Sequence, residues 1–296
     1  MDIFGKRHIL LGGLLSVAPD WYMWLWAYLL TTGSAASVVY ISQDMWTRAH
    51  KAFAYGLIFS NQLSSYILLL SDPGIYPRGQ QQDEPQPPEV DKANKKLDNA
   101  ASDSKDSERR VYCRQCHLYR RPRTSHCYTC GVCVLEHDHH CVLLGVCIGK
   151  RSQRWFLMYL VTTALQLYAG MFFLVLSFRR TPFEDDWKKL PPPGGARAWT
   201  PEAEEAFSRH ATLTTLFHLV VMGIIAFAMV PITAGTVAYV LLPLSNTTWR
   251  EAQHNGIRLT KPEDGRRRLC VSQLCMNICR VLRAGPSLLP MGDKKR

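Results

Sequence analysis

No charged residue stands between Trp21 and Ser42, no aromatic between Arg78 and Glu108, and no cysteine before Cys113. The first absence excludes a solvated helix. An uncharged apolar stretch of this length can cross a bilayer. Trp21, Tyr22, Trp24 and Trp26 gather at one end of it, where amphipathic rings favour the interface. The second absence excludes a packed core. Gln, Pro, Asp, Lys, Asn and Ser dominate Arg78–Glu108, the composition of a disordered linker. The third confines dense thiol chemistry to one place, since outside Cys113–Phe156 only Cys270, Cys275 and Cys279 remain. Acidic residues are scarce as well: 24 Asp and Glu against 35 Lys and Arg leave a net charge of +11. Such a charge suits nucleic acid or anionic headgroups. The 296 residues fit one or two soluble domains on length alone. The apolar residues, however, are bunched rather than periodic, which argues for membrane segments and against nucleic acid.

Four such segments are present. After Trp21–Ser42, a second runs from Ala52 to Ser71, and Gly56, Ser60, Asn61, Ser64 and Ser65 within it predict packing inside a helix bundle. It ends in the turn signal Asp72-Pro73-Gly74. A third runs from Trp155 to Phe178. The fourth lies within Leu213–Leu244, where Pro231, Gly235 and Pro243 are expected to kink or end it. A loop, Arg179–His210, joins the last two. Lys6-Arg7 followed by Ile9–Val17 mimics a secretory signal, with Ser16-Val17-Ala18 as a cleavage site; the apolar stretch behind it is better read as a retained span. Lys and Arg number fourteen between spans two and three and eleven from Arg250 onward, against two in the first loop. The Arg179–His210 loop has six, matched by six acidic residues. This asymmetry puts both termini and the cysteine-rich segment in the cytosol. Asn246-Thr247-Thr248 fits the N-glycosylation pattern and, on that topology, stays unmodified.

Cys113–Phe156 carries seven of the ten cysteines and five of the ten histidines. Cys-x2-Cys pairs suit Zn²⁺, because a tight turn can aim both thiolates at one tetrahedral centre. Seven thiols and five imidazoles exceed by four the eight ligands of two closed structural sites. Cys141 follows Asp138, His139 and His140, and a surplus thiol beside a surplus imidazole and a carboxylate makes an activated nucleophile. A zinc knuckle in which every cysteine is structural is the competing reading. His117 and His137 have no assigned role and are expected to be exposed.

The spacing C-x2-C-x9-H-C-x2-C-x2-C-x4-D-H-H-C-x5-C resembles the cysteine-rich domain of the DHHC protein S-acyltransferases, or palmitoyltransferases. The match is highly specific over roughly forty residues. The resemblance implies two interleaved zinc sites, Cys113, Cys116, His126 and Cys133 in one and Cys127, Cys130, His140 and Cys147 in the other. It leaves Cys141 as nucleophile, His139 as base and Asp138 as orienting carboxylate. It implies acyl-CoA, palmitoyl-CoA above all, as co-substrate alongside the two structural Zn²⁺, with protein substrates bearing membrane-proximal cysteines. Lys150, Arg151 and Arg154 are candidates for the CoA phosphates, with anchoring of span three as their alternative duty. A family Thr-Thr motif nominates Thr248 as a support of Asp138.

Three departures stand out. Val142-Leu143 replaces the family Pro-Trp, Ser152 replaces an Asn, and Glu251 is displaced by one position, with Arg250 in its family place. They leave open a catalytically weakened enzyme, and a membrane-bound zinc adaptor is the alternative from another class. The expected fold is an α-helical polytopic membrane protein of four transmembrane helices, with a small hairpin-rich cytosolic zinc domain between spans two and three. Its parts are 1–76 (N-terminus, spans one and two), 77–110 (linker), 111–154 (zinc domain), 155–246 (spans three and four with a lumenal loop) and 247–296 (basic tail). The expected location is the endoplasmic reticulum or Golgi. Cys270, Cys275 and Cys279 lie in a basic, helix-compatible stretch and are candidates for acylation themselves.

Overall fold

A computed structural model of the chain describes residues 5–10, 15–42, 46–76, 111–121, 123–179, 200–245, 247–255 and 279. The expected linker 77–110, most of the loop before residue 200, Asn246, Cys270 and Cys275 lie outside the described residues. Among the described residues four long helices dominate: α1 (Trp21–Ser42), α2 (Arg48–Leu70), α3 (Gln153–Phe178) and α4 (Pro201–Ser245). All four are long and apolar enough to cross a membrane, and they fit a polytopic membrane protein. A short fifth helix, α5 (Trp249–Asn255), follows.

The helix starts have local causes. Ser152 precedes α3; its carbonyl accepts the Phe156 N–H at 3.0 Å, and its hydroxyl accepts that of Gly149 at 3.0 Å. The departure at this position therefore fastens the turn before α3, its hydroxyl bonding back to Gly149 and to the Cys147 carbonyl (3.2 Å). Thr200 caps α4 through Oγ1 to the Ala203 N–H (3.2 Å), with Pro201 in first place and Glu202 and Glu204 in the first turn. The last ten residues of the expected Arg179–His210 loop are thus helical. The helix also runs unbroken through Pro231 and Gly235 to Ser245, rather than ending at either. Freed backbone groups in a membrane helix can be satisfied by neighbours, so such residues are tolerated there.

The described residues fall into two compact units, one drawn from Met1–Tyr28, Gln62–Leu160 and Thr236–Arg296, the other from Leu29–Asn61 and Val161–Gly235. In the second unit, Val38, Leu174, Val221 and Ile225 form an apolar core. Buried Asn61 donates to Thr162 Oγ1 (3.1 Å) and Thr163 Oγ1 (2.7 Å), a polar tie between α2 and α3. Gly56 faces outward, against the expectation that it packs on another helix. Nothing lies within 4 Å of a methyl group placed there.

In the first unit, Trp24 Nε1 donates to Ser65 Oγ at 2.6 Å, and its ring meets those of Tyr28 and Tyr66. Trp24, Leu68, Phe156, Tyr159, Leu160, Tyr239 and Leu242 share a core with Cys141, Leu144 and Val146. This unit also holds every described strand. β1 (His8–Leu10) and β2 (Leu15–Val17) form an antiparallel hairpin where the sequence mimics a secretory signal. The N-terminal segment is tied to the cysteine-rich region by the Lys6 N–H to the Cys130 carbonyl (2.9 Å). Ala18 is buried among Cys127, Cys130 and Cys147.

The turn after α2 reaches the same region. Asp72 is fully buried; its Oδ1 accepts the Gly74 and Ile75 N–H groups at 2.9 and 2.8 Å, and its Oδ2 takes Arg151 Nη1 at 2.6 Å. That turn leads into β3 (Ile75–Tyr76), which pairs with β7 (Val132–Val134), itself paired with β6 (Ser125–Cys127). Two further hairpins are β4 (Tyr112–Cys113) with β5 (Leu118–Tyr119) and β8 (His139–Cys141) with β9 (Val146–Ile148).

Candidate metal centres and active site

Strand register assembles the clusters. Pairing of β6 with β7 sets His126 opposite Cys133, and pairing of β8 with β9 sets His140 opposite Cys147. Each cross-strand pair is joined by a Cys-x2-Cys turn. Cys127 to Cys130 closes with the Gly131 N–H on the Cys127 carbonyl (2.7 Å) and Gly131 at φ 67°. Cys113 to Cys116 is followed at the same offset by His117, exposed as expected and at φ 51°.

Around His126 Nδ1 the sulfurs of Cys113, Cys116 and Cys133 lie at 3.6, 3.2 and 3.9 Å. Around His140 Nδ1 those of Cys127, Cys130 and Cys147 lie at 3.6, 3.6 and 3.4 Å, and Cys130 Sγ is 3.5 Å from Cys147 Sγ. A tetrahedron with Zn–S near 2.3 Å and Zn–N near 2.0 Å has edges of about 3.5–3.8 Å. The donor sets and spacings therefore fit two zinc ions. The thiols point the same way: hydrogen bonds from Cys116 and Cys133 hold the Cys113 thiol well below its usual range, while Cys113 and Cys116 push Cys133 up. Three crowded sulfurs cannot all ionise unaided, and a divalent cation removes that conflict.

Two neighbours support the clusters. Asp20 Oδ2 lies 3.3 Å from His140 Nε2, the ring nitrogen facing away from the sulfurs. Gly145, at φ 58°, leaves no room for a Cβ, which would fall 2.0 Å from the Asp20 carbonyl oxygen. His137 is buried, not exposed as expected, with Nδ1 2.8 Å from Ser125 Oγ. A hydroxyl partner in the adjoining strand offsets the cost of burying an imidazole.

Cys141 belongs to neither cluster. It is 9% exposed and lies two positions from His139 on β8, on the same face of that strand, and His139 Nδ1 lies 2.8 Å from Asp138 Oδ2. Burial works against a charge on His139, but the hydrogen bonds from Asp138 and Cys141 outweigh it and push the imidazole up to about 9. Asp138 is buried, and two of its donors lie far off in sequence. Tyr239 of α4 gives its hydroxyl to Oδ2 at 2.7 Å, and the Trp249 N–H at the start of α5 binds Oδ1.

The contact to Asp138 thus comes from the residue after Thr248. Thr248 itself caps α5: its Oγ1 accepts the Glu251 N–H (3.2 Å), and Glu251 accepts the Thr248 N–H (2.8 Å). Thr248-x-x-Glu251 is a capping box, a signal present in the sequence that the displaced-motif reading passed over. Glu251 also receives two bonds from Arg123, both at 2.8 Å. Among the three basic candidates, Arg151 is held by Asp72 and Lys150 lies 3.3 Å from Glu136. Arg154 lies over the Trp155 ring. Val142 and Leu143, beside Cys141, are exposed.

A family profile described as DHHC palmitoyltransferase matches residues 106–256. The chain is 36% identical over 120 residues to the probable protein S-acyltransferase 13 of Arabidopsis thaliana, covering 39% of this chain and 38% of that protein. It is 27% identical over 188 residues to palmitoyltransferase ZDHHC8 of Homo sapiens, covering 61% of this chain and 21% of that one. It is 38% identical over 55 residues to palmitoyltransferase erf2 of Schizosaccharomyces pombe, covering 19% of this chain and 16% of that one. The chain therefore spans well under half the length of each of these relatives.

Proposed function

Because the chain belongs to the DHHC palmitoyltransferase family, we propose that it moves a long-chain acyl group, palmitoyl above all, from acyl-CoA to cysteines of membrane-proximal protein substrates. The observation that carries this reading is Cys141, a thiol outside both metal clusters that shares a strand face with an imidazole oriented by a buried carboxylate. In the first step the Cys141 thiol gives its proton to His139 and its sulfur attacks the thioester carbonyl. The bond to the CoA sulfur breaks, and CoA leaves with the proton from His139. In the second step a substrate cysteine gives its proton to His139 and attacks the thioester on Cys141, whose sulfur takes the proton back. Asp138 holds the imidazole in one tautomer throughout.

The eight cluster residues would hold two structural Zn²⁺, which fix the hairpins and take no part in the transfer. Of the basic candidates, Lys150 and Arg154 are assigned to the CoA phosphates, and Arg151 to fastening the turn after α2. Residues 111–154 act as a cytosolic domain between spans two and three, after the linker 77–110 and before spans three and four and the tail 247–296. Both termini face the cytosol, on the charge asymmetry of the loops, in the endoplasmic reticulum or Golgi. The test is acyl-enzyme formation from labelled palmitoyl-CoA by the purified chain. Hydroxylamine-labile label is expected on wild type and none on Cys141→Ser; label persisting on Cys141→Ser would overturn the assignment.

A further inference from the structure

We infer that Tyr239 is a positioning residue that fixes the tautomer and angle of His139 through Asp138, an inference that rests on the acyl-enzyme reading above. The argument begins with three polar atoms in a triangle. Tyr239 Oη is 2.7 Å from Asp138 Oδ2 and 2.9 Å from His139 Nδ1, and those two atoms are 2.8 Å apart. A tyrosine has one proton to give. Spent on the carboxylate, it leaves the oxygen only as an acceptor toward His139. The Nδ1–H of His139 then sits between two acceptor oxygens, and neither has a proton to give Nδ1 if the ring proton moves to the other nitrogen. The imidazole is held with Nδ1 protonated, so that its second nitrogen is the one free to take the Cys141 proton.

The ring of Tyr239 is itself buried and packed between two aromatic rings. It stacks on Trp249 at 6.0 Å between centroids and meets Phe156 edge-on at 4.8 Å, while Phe156 also meets His139 at 5.4 Å. Asp138 Oδ1 is closed off by the Trp249 N–H. The carboxylate therefore cannot turn to a different partner while Tyr239 is in place. The arrangement belongs to this chain's fourth long helix, and the Asp-His-His-Cys segment alone does not contain it.

Tyr239→Phe tests this, because it removes one oxygen and keeps the ring between Phe156 and Trp249. Two readouts are needed on the full-length chain in detergent. The first is single-turnover acyl-enzyme formation across palmitoyl-CoA concentrations. The second is the rate at which iodoacetamide alkylates Cys141, followed on the Cys141 peptide by mass spectrometry. The maximal acylation rate should fall roughly ten- to a hundredfold, as for a lost hydrogen bond to a charged group, with half-saturation moving less than about twofold because only the reacting groups lose their alignment. Zinc content and melting temperature should match wild type. Cys141 alkylation should slow in Tyr239→Phe, and the same change on an Asp138→Asn background should add nothing, since Tyr239 acts through that carboxylate.

A wild-type acylation rate in Tyr239→Phe overturns the inference. So does equal slowing of alkylation on both backgrounds, and so does a loss of zinc or an early melt, which would make the hydroxyl structural. The two readings fail separately. Absence of any acyl-enzyme on wild-type Cys141 removes the proposed function, whereas wild-type alkylation in Tyr239→Phe removes only the role of Tyr239.

Discussion

Glu251 is the residue whose loss should separate the support of the site from its chemistry. Its carboxylate accepts the Thr248 N–H and two bonds from Arg123. These ties hold α5, a seven-residue helix too short to persist unaided. Glu251→Ala removes the capping acceptor, worth about 1 kcal/mol. It also removes the Arg123 pair; with side chains 24% and 32% exposed, solvent screening holds that share to about 1 kcal/mol. The sum of about 2 kcal/mol sets a ceiling of about thirtyfold on the loss of docked α5, and with it of the Trp249 N–H on Asp138. Glu251→Gln keeps a serviceable cap, since glutamine serves at this position of a capping box. It loses the ionic share alone, about fivefold. Arg250→Ala should leave the rate unchanged. Single-turnover acylation from palmitoyl-CoA, run beside zinc analysis, measures all three. A Glu251→Ala protein that acylates at the wild-type rate refutes the reasoning, and so does one that loses zinc, because the partners of Glu251 are Arg123 and Thr248 rather than cluster residues.

The adjacent histidines should part company: His140→Ala loses zinc and the local fold, as metal binding is folding energy in so small a domain, while His139→Ala keeps both ions and loses roughly 10²–10⁴-fold in acyl transfer, read by elemental analysis beside acyl-enzyme formation. Asp20→Asn should weaken metal affinity about 10–100-fold at the Cys127 cluster, the usual cost of losing a partner behind a histidine ligand; a chelator challenge releasing both ions at wild-type rates would count against it. Asn246, just beyond α4, should carry no glycan, and a glycosidase-sensitive shift abolished by Asn246→Gln would reverse the proposed orientation.

Much of the site lay open in the chain because its parts are close in sequence. Both clusters use residues within one short stretch, and the two groups of four are the ones the family resemblance implies. Cys141 stands outside both groups, the position that the resemblance leaves to it. The span bounds were equally accessible: α1 covers the uncharged stretch Trp21–Ser42 itself, because apolar length alone decides whether a helix suits a bilayer. The start of α4 was missed, although Thr200-Pro201 with Glu202 and Glu204 is a helix-start signal, because the proline-rich run before it read as loop. His137 was misplaced because a polar residue's burial depends on whether a partner stands close by, and Ser125 stands in β6, before the turn and strand that separate them in sequence.

Composition thus determined four helices long and apolar enough to cross a membrane, and the motif's spacing, through the family resemblance, the two donor sets and the thiol outside them, since each follows from residues close in sequence. Which groups would hold Asp138 in place was decided only in three dimensions. Tyr239 and Trp249 stand 101 and 111 residues from it. One is an apolar-span tyrosine like several others, and the other contributes a backbone N–H that every residue but proline possesses. No local pattern distinguishes such partners, because what selects them is the packing of α4 and the capped start of α5 against the β8 hairpin.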